Sequence, residues 1–492
     1  MVSGVMLCVI CSTSKKRNII NVGLEVTPPE FTKPHDVLVL GAGNAAMSAA
    51  ITARRLGASV LIIESAAKDM RGGNTRHVRN IRYAHSAATD YVTGPFEVAE
   101  YINDIMRVTE GNTNPELTKF LVEASQSSVD WMIEQGVRFQ KPLSGTLGLA
   151  RTNAFFLGGG KALLNSYFKT AEKLGIDIVY EAEVEEIVMD GNRFEAAKIR
   201  HGGELHNVTA RTIILACGGF EANIEWLKEG WGEAAENFLV RGSPMNTGKV
   251  LRSMLDNGAK RIGDADQCHA VAIDGRAPKF DGGLSTRVDC VIFSVVVNKN
   301  GERFYDEGED IWPRRYAIWG RLTAKQPDQV SFAIIDSKAM GLFMPAIYEP
   351  IEANTLGELA EKLGVDAEQM EKTVAEYNAA CRPGDFNPTD LDGLSTEGLT
   401  PPKTNWARPI DTPPYYGYPF KMGITFTYMG VEVNKQAQVI MNDDKPAENV
   451  WAAGEIMSGN ILGQGYAGGT GIAIGNVFGR TAGEGAARHA RN

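Results

Sequence analysis

The first regular signal along the chain is a short unbroken apolar run, Val37-Leu38-Val39-Leu40, directly after Asp36. A strand with one wet face alternates apolar and polar residues. A run without alternation predicts a strand covered on both faces, as in a parallel sheet. Gly41-Ala42-Gly43-Asn44-Ala45-Ala46 follows, then an alanine-rich helical stretch to Leu56 and Gly57. A second buried run, Ser59-Val60-Leu61-Ile62-Ile63, ends in Glu64, completing a βαβ unit of about thirty residues. Arg211 to Ala216 and Asn449 to Ala453 are two more apolar runs that stop at glycine. The sequence then closes with a glycine-rich loop from Gly463 to Gly471 and a helical stretch from about Ile472 to Arg488.

Between Gln267 and Tyr428 the texture changes, with prolines and aromatics denser and one strongly helical region from Thr355 to Cys381. Thr355 with Glu358, and Asp366 with Gln369, have capping-box spacing, which predicts two helix starts. Arg382 to Pro414, rich in Pro, Asp and Thr, predicts a long irregular connection. The expected organisation is an α/β nucleotide-binding domain built from both chain ends, residues 33–267 and 429–492. A capping domain over 268–428 is inserted between them, and 1–32 form an N-terminal extension.

Composition narrows the class. The 492 residues are 43% hydrophobic and 22% charged, an ordinary globular balance that excludes a disordered chain. Fifty basic against sixty acidic residues give a net charge of -10, the wrong sign for tracking a phosphate backbone, so no nucleic-acid partner is expected. Six cysteines do not make a disulfide scaffold. Cys8 and Cys11 have redox-motif spacing without a strand–helix context, and no four-cysteine run or haem motif exists, so no metal is expected. The apolar start is a poor secretory signal because Lys15, Lys16 and Arg17 follow it, and no run of about 18 apolar residues occurs. A cytoplasmic protein is the expectation.

The chemistry begins at the first glycines. Gly41 permits a tight turn, Gly43 lets backbone approach a pyrophosphate, and the small Ala46 allows close helix packing. Glu64, at the end of the next strand, is placed to accept hydrogen bonds from an adenosine ribose. A simple NAD enzyme needs only this unit. Here Gly72-Gly73-Asn74-Thr75, Ala216-Cys217-Gly218-Gly219 and Ala453-Gly454-Glu455 recur far away, as an extended cofactor with several close backbone approaches requires. A helix N-terminus near Thr470 to Ile472 could stabilise a reduced, anionic flavin.

These four elements, in this order and from about Lys33 to the C-terminus, resemble the fumarate reductase and succinate dehydrogenase flavoproteins, including their ketosteroid dehydrogenase branch. Gly72 to His77, Arg303-Phe304-Tyr305-Asp306-Glu307 and Arg314 to Ala317 carry the likeness too. The resemblance implies a Rossmann-like FAD-binding domain with an inserted α+β capping domain that closes over substrate. It implies FAD contacts from Gly41, Gly43, Asn44, Ala45, Ala46, Glu64, Ser65, Gly72, Gly73, Asn74, Thr75, Val184, Ala216, Gly218, Gly219, Gly454, Glu455, Gly471 and Ile472. No histidine sits where succinate dehydrogenases carry covalent flavin, so the FAD is expected to be non-covalent.

The resemblance further implies an acid–base arginine shortly after the Arg303 to Glu307 run, Arg314 or its neighbour Arg315. Chemistry alone would prefer His or Glu, since a guanidinium with pKa above about 12 is a reluctant base, and a surface pair is the other reading. Arg76, Arg79 and Arg82, three apart, would share one side of a helix and suit substrate carboxylates, or else make a solvated face. Thr286 falls at the family's substrate threonine; Arg287 replaces a carboxylate. His269 is the candidate capping-domain histidine, with His77 and His85 behind it. Two dicarboxylate ligands of the family are missing: Thr425 to Gly430 replaces a histidine segment, and Tyr466 replaces a substrate arginine. The implied activity is oxidation of a saturated C–C bond in a small polycarboxylate, tricarballylate to cis-aconitate. An external electron acceptor such as a membrane iron–sulfur protein would follow, with peripheral membrane association through it. A fumarate reductase, a 3-ketosteroid dehydrogenase and a non-catalytic flavin electron carrier remain as alternatives.

Overall fold

Val37–Leu40, Val60–Ile63 and Thr212–Leu215 are buried at every position, because each is a parallel strand with side chains on both faces covered. They belong to a six-stranded sheet, seen in a computed structural model that describes residues 27–142, 149–281 and 286–492. The Cys8/Cys11 pair and residues 1–26 lie outside the described residues. The strand order is Gln438–Ile440, Pro446–Ala452, Thr212–Leu215, Val37–Leu40, Val60–Ile63, Asp177–Val179. All neighbours are parallel except the first pair, and Val37 faces Val60 on one side and Thr212 on the other. The C-terminal run therefore returns to pair with the sheet's middle, Ile213 against Val450.

Two helices lie on this sheet. Asn44–Arg55 starts where the first strand ends, and Thr470–Arg491 packs along it. Gly475, Gly479 and Gly483, four apart, permit that close crossing: a Cβ on each would sit 2.5 Å from Asn44 Nδ2, 2.6 Å from the Ala45 carbonyl and 2.2 Å from the Ala49 carbonyl. A separate antiparallel meander, Glu183–Asp190, Arg193–His201 and Glu204–Val208, leaves the same body.

The second, seven-stranded sheet centres on the long strand Tyr415–Thr427. It pairs antiparallel with Cys268–Asp274, Val330–Asp336 and Ile351–Ala353, and parallel with Leu239–Arg241. A bulge between His269 and Ala270 shifts the register beside Phe426. Leu356–Leu363 and Ala367–Ala380 cover one face, and both start as the capping pattern predicts. Thr355 Oγ1 accepts from the Glu358 amide (3.2 Å), and Asp366 Oδ1 accepts from the Gln369 amide (2.9 Å). Residues 382–414 form neither helix nor strand, yet they bury Trp406 and Lys403. No helix among the described residues is long and apolar enough to cross a membrane.

Arg76, Arg79 and Arg82 do not share a helix. A short 3-10 turn ends at His77, and Asn80–Arg82 is a strand, so the three side chains part company. Asn74 and Thr75 hold that turn against the rest of the site, Asn74 through Glu221, Thr425 and Ser243, and Thr75 Oγ1 by accepting from the Asn44 amide at 2.9 Å.

Candidate functional site

A cavity of about 1040 Å³ runs between the two sheets, at the upper end of the ~300–1,000 Å³ of a small-molecule site. Its floor comes from the first sheet. Gly41 turns the chain at φ +98°, and a Cβ there would lie 2.4 Å from the Ala216 carbonyl oxygen, so only glycine lets the strand enter the helix beside its neighbour. Gly43, Asn44 and Ala45 at the helix start line the cavity, presenting the partial positive charge of a helix N-terminus. Glu64 follows at the end of the next strand. Its carboxylate accepts from the Ala66 amide (2.9 Å) and the Gly72 amide (3.2 Å), and burial pushes its pKa up.

The far strands close this cradle. Asn74 ties three segments together: its amide donates to Glu221 Oε1 (2.6 Å) and the Thr425 carbonyl (2.7 Å), and its Oδ1 accepts from the Ser243 amide (2.7 Å). Glu455 Oε1 accepts from the Thr427 amide at 2.9 Å. Burial, and then the neighbouring Glu221 carboxyl, hold Glu455 well above the usual carboxylate range, so this pair keeps a proton. Gly471 and Ile472, at the start of the C-terminal helix, supply a second helix N-terminus in the wall. An elongated cleft with an acidic residue near one helix N-terminus and a second N-terminus farther along fits FAD.

Of the residues expected to hold FAD, all but two line the cavity: Gly41, Gly43, Asn44, Ala45, Glu64, Ser65, Gly72, Gly73, Asn74, Thr75, Val184, Ala216, Gly218, Gly454, Glu455, Gly471 and Ile472. Ala46 and Gly219 do not. Ala46 is fully buried inside its helix. A Cβ on Gly219 would meet Thr427 Oγ1 at 2.0 Å and Glu455 Oε1 at 2.2 Å, so glycine there makes room for those two side chains.

The other wall, which takes Arg241 and His269 from strands of the second sheet, is cationic. Arg79, Arg241 and Arg287 all line it, with His269, Asp289, Trp312, Tyr316 and Tyr466. Arg287 binds Asp289 through two hydrogen bonds, 2.5 and 2.7 Å, and Trp312 Nε1 donates to the same carboxylate at 2.7 Å. Burial alone would lower Arg287, but Asp289 holds it above the ordinary guanidinium value. Its charge presses on the others. Arg79 is lowered to about 10, first by Arg287 and then by burial, and Arg241 is lowered by burial and then by Arg287. Three guanidiniums on one wall, two of them lowered in part by Arg287, favour the arrival of negative charge.

His269 Nε2 lies 3.0 Å from the Tyr316 hydroxyl, and its ring meets Tyr466 edge-on at 4.2 Å. The Tyr466 hydroxyl accepts from the Gly471 amide at 2.9 Å. Burial, then Arg241 and Arg287, push the His269 imidazole well below its usual value, leaving it neutral.

Several expected substrate and catalytic residues lie elsewhere. Arg76 turns away and donates to the Asp69 carbonyl at 2.6 Å. Thr286 is buried but absent from the wall, its carbonyl accepting from the Asp274 amide at 2.8 Å. Arg314 and Arg315 are not in the wall either. The first is held by Asp310 (2.7 Å) and Asp104 (3.4 Å), the second by Glu309. The turn Trp312–Arg315 points its other residues, Trp312 and Pro313, and the following Tyr316 into the cavity. His77 lines the cavity, whereas both ring nitrogens of His85 are within 3.0 Å of backbone carbonyls. Sequence reasoning missed Arg241, Asp289 and Tyr316. Arg241 carried no motif; Asp289 lies two residues after Arg287, the strand spacing that puts both on one side, and that signal was readable.

Comparison with known proteins agrees with this geometry. A family model described as "FAD binding domain" matches residues 36–472. The chain is 27% identical to an NADH:fumarate oxidoreductase of Klebsiella pneumoniae, over 93% of this chain and 48% of that protein. This chain thus spans about half the length of that relative. It is also 27% identical to a probable fumarate reductase of Shewanella frigidimarina, covering 94% of this chain and 76% of the relative. The open conformation of a flavocytochrome c3 fumarate reductase superposes with a TM-score of 0.72 at 23% identity, over 94% of this chain and 79% of that one.

Proposed function

The chain belongs to the FAD-binding-domain family, and from that premise we propose that it is a flavin-dependent dehydrogenase of small polycarboxylates, with tricarballylate going to cis-aconitate as its reaction. The observation that carries the substrate class is the group Arg79, Arg241 and Arg287 on one wall, with Asp289 bound to Arg287. Arginine grips carboxylates bidentately. A substrate with three carboxylates would offset the Arg287 charge that chiefly lowers Arg79 and that adds to the effect of burial on Arg241.

When bound, FAD supplies an acceptor for two electrons and one hydrogen. The chain's residues do the rest. The arginines orient the substrate, and fixing its reacting carbons in this way accounts for a large share of the rate gain in such enzymes. Trp312 and Phe426, both in the wall, keep water out of the space the arginines hold. Electrons leave to an external acceptor, for which an iron–sulfur protein at the membrane is the candidate. The relatives' printed names favour a second reading in which the same site reduces fumarate.

The test is an anaerobic flavin spectrum of the purified protein titrated with tricarballylate, succinate and a 3-ketosteroid. Bleaching by tricarballylate is the expected result. A yellow protein that none of the acids bleaches overturns the substrate class. A protein bleached by nothing that still passes electrons from a chemical reductant is an electron carrier.

A further inference from the structure

Arg314 and Arg315 are tied up by Asp310, Asp104 and Glu309, so the site needs another group to take the substrate's proton. Among the described residues, two tyrosine hydroxyls line the cationic wall. Tyr466 is spoken for by the Gly471 amide, and burial raises it far above the ordinary phenol value, with Tyr316 adding to the rise. Tyr316 differs. Burial holds it above the ordinary phenol value too, with Arg287, Arg241 and Arg79 offsetting part of that rise, and the Arg287 guanidinium lies 5.2 Å from its ring centre. Its hydroxyl reaches His269 Nε2 at 3.0 Å, and a Cβ on Gly468, in the loop before the C-terminal helix, would lie 3.8 Å from that oxygen. Tyr316 thus stands between the arginines and the glycine loop before the C-terminal helix.

We propose that Tyr316 and His269 are the proton-transfer pair of this site, the phenol taking the substrate's proton as it passes its own to His269 Nε2. This rests on the dehydrogenase reading above. The C–H bond beside a substrate carboxylate breaks, and its proton forms a new O–H bond on Tyr316. The former phenol proton forms N–H on His269, and the freed electron pair becomes the second bond of the new C=C. From the neighbouring carbon, hydrogen leaves with its electron pair to the flavin oxidant.

The substrate switches the pair on. The groups facing His269 are Arg241, Arg287 and Arg321, which oppose an imidazolium, with Tyr316 and Tyr466 uncharged beside it. Empty, the wall keeps His269 neutral and able to accept. Once a trianion offsets the arginines, the cost of placing a proton on the ring falls, so binding itself prepares the acceptor. The same relay run backwards makes Tyr316 the proton donor for reduction.

Two variants and two readouts test this on the FAD-loaded protein. In single-turnover reduction by tricarballylate, Tyr316→Phe is expected to slow the flavin's bleaching on the order of 10²–10⁴-fold, the usual value of a positioned acid–base group. Its flavin spectrum and its affinity for cis-aconitate should be unchanged. In calorimetry of cis-aconitate binding to the oxidised protein, in buffers of different ionisation heat, the wild type should take up a proton only as the pH is lowered, over the range in which its bleaching rate also falls because a protonated His269 can no longer accept. His269→Gln should show no such uptake. Normal bleaching in Tyr316→Phe, or the same proton uptake in His269→Gln, overturns the relay and leaves the dehydrogenase reading standing. If the wild type neither binds cis-aconitate nor bleaches with any of the acids, the dehydrogenase reading and the relay fall together.

Discussion

Lys403 shows how a single residue can set a pH dependence away from the cavity. Its ammonium is wholly buried and donates to the Ser294 carbonyl at 2.6 Å, and burial lowers its pKa to about 8 from 10.5. Between those two values the unfolded chain carries a proton that the folded one has shed. Stability therefore rises with pH across that window and is lowest below it. At about 1.4 kcal/mol per unit the full swing is roughly 3 kcal/mol. Urea unfolding of the wild type and Lys403→Met at pH 8 and pH 10 checks it: the wild type should gain on the variant as pH rises. Parallel curves would show that Lys403 keeps an ordinary pKa. At this same scale the sequence was least legible in the substrate wall. Arg79 was readable from its place after Asn74-Thr75, but Arg76 looked equivalent because spacing cannot show where a 3-10 turn stops. Tyr316 was hidden behind two arginines that family likeness made more conspicuous, against the preference of chemistry for His or Glu as the base.

Elements were read more surely than side chains, and physics explains why. The unbroken runs at Val37–Leu40 and Thr212–Leu215 predict covered parallel strands from composition alone. The capping boxes at Thr355 and Asp366 encode their helix starts within four residues. The C-terminal helix carried a signal that went unread. Its glycines at 475, 479 and 483 look like poor helix formers, yet they form the face laid against Asn44–Arg55. Alanine at 479 should raise intrinsic helix propensity and still destabilise the protein. Its Cβ would sit 2.6 Å from the Ala45 carbonyl and 2.9 Å from the Ser48 Cβ, so the two helices must move apart. Overpacking of this kind costs about 1–3 kcal/mol. Gly479→Ala should therefore lower the melting temperature, and because Asn44 and Ala45 line the cavity it should also weaken FAD retention. A melting temperature at or above that of the wild type would mean the crossing has slack.

Across the whole molecule, the two halves of the cavity are joined by a chain of alternating charges. Arg82 binds Asp104, Asp104 meets Arg314 at 3.4 Å, Arg314 binds Asp310 at 2.7 Å, and Asp310 binds Arg107 at 2.9 Å. Arg82, Asp104 and Arg107 lie on the strand Asn80–Arg82 and the helix Val98–Val108, while Asp310 and Arg314 lie at the turn that also carries Trp312 and Tyr316. The link thus fixes where the turn carrying Tyr316 stands relative to the FAD-binding body. Asp310 is nearly fully buried, so Asp310→Asn leaves Arg107 and Arg314 without their shared anion. Removing one partner of a buried charged pair costs several kcal/mol, and less where the arginines reach water as these do, so about 1–3 kcal/mol is expected. The functional consequence separates this turn's two roles. In Asp310→Asn the KM for tricarballylate should rise and the melting temperature fall, while the reduction rate at saturation stays near that of the wild type because Tyr316 and His269 are intact. In Tyr316→Phe the pattern should invert, with KM kept and the rate lost. If Asp310→Asn instead abolished the rate at saturating substrate, the ion chain would belong to the chemistry itself, and Arg314 would return as the proton-transfer group.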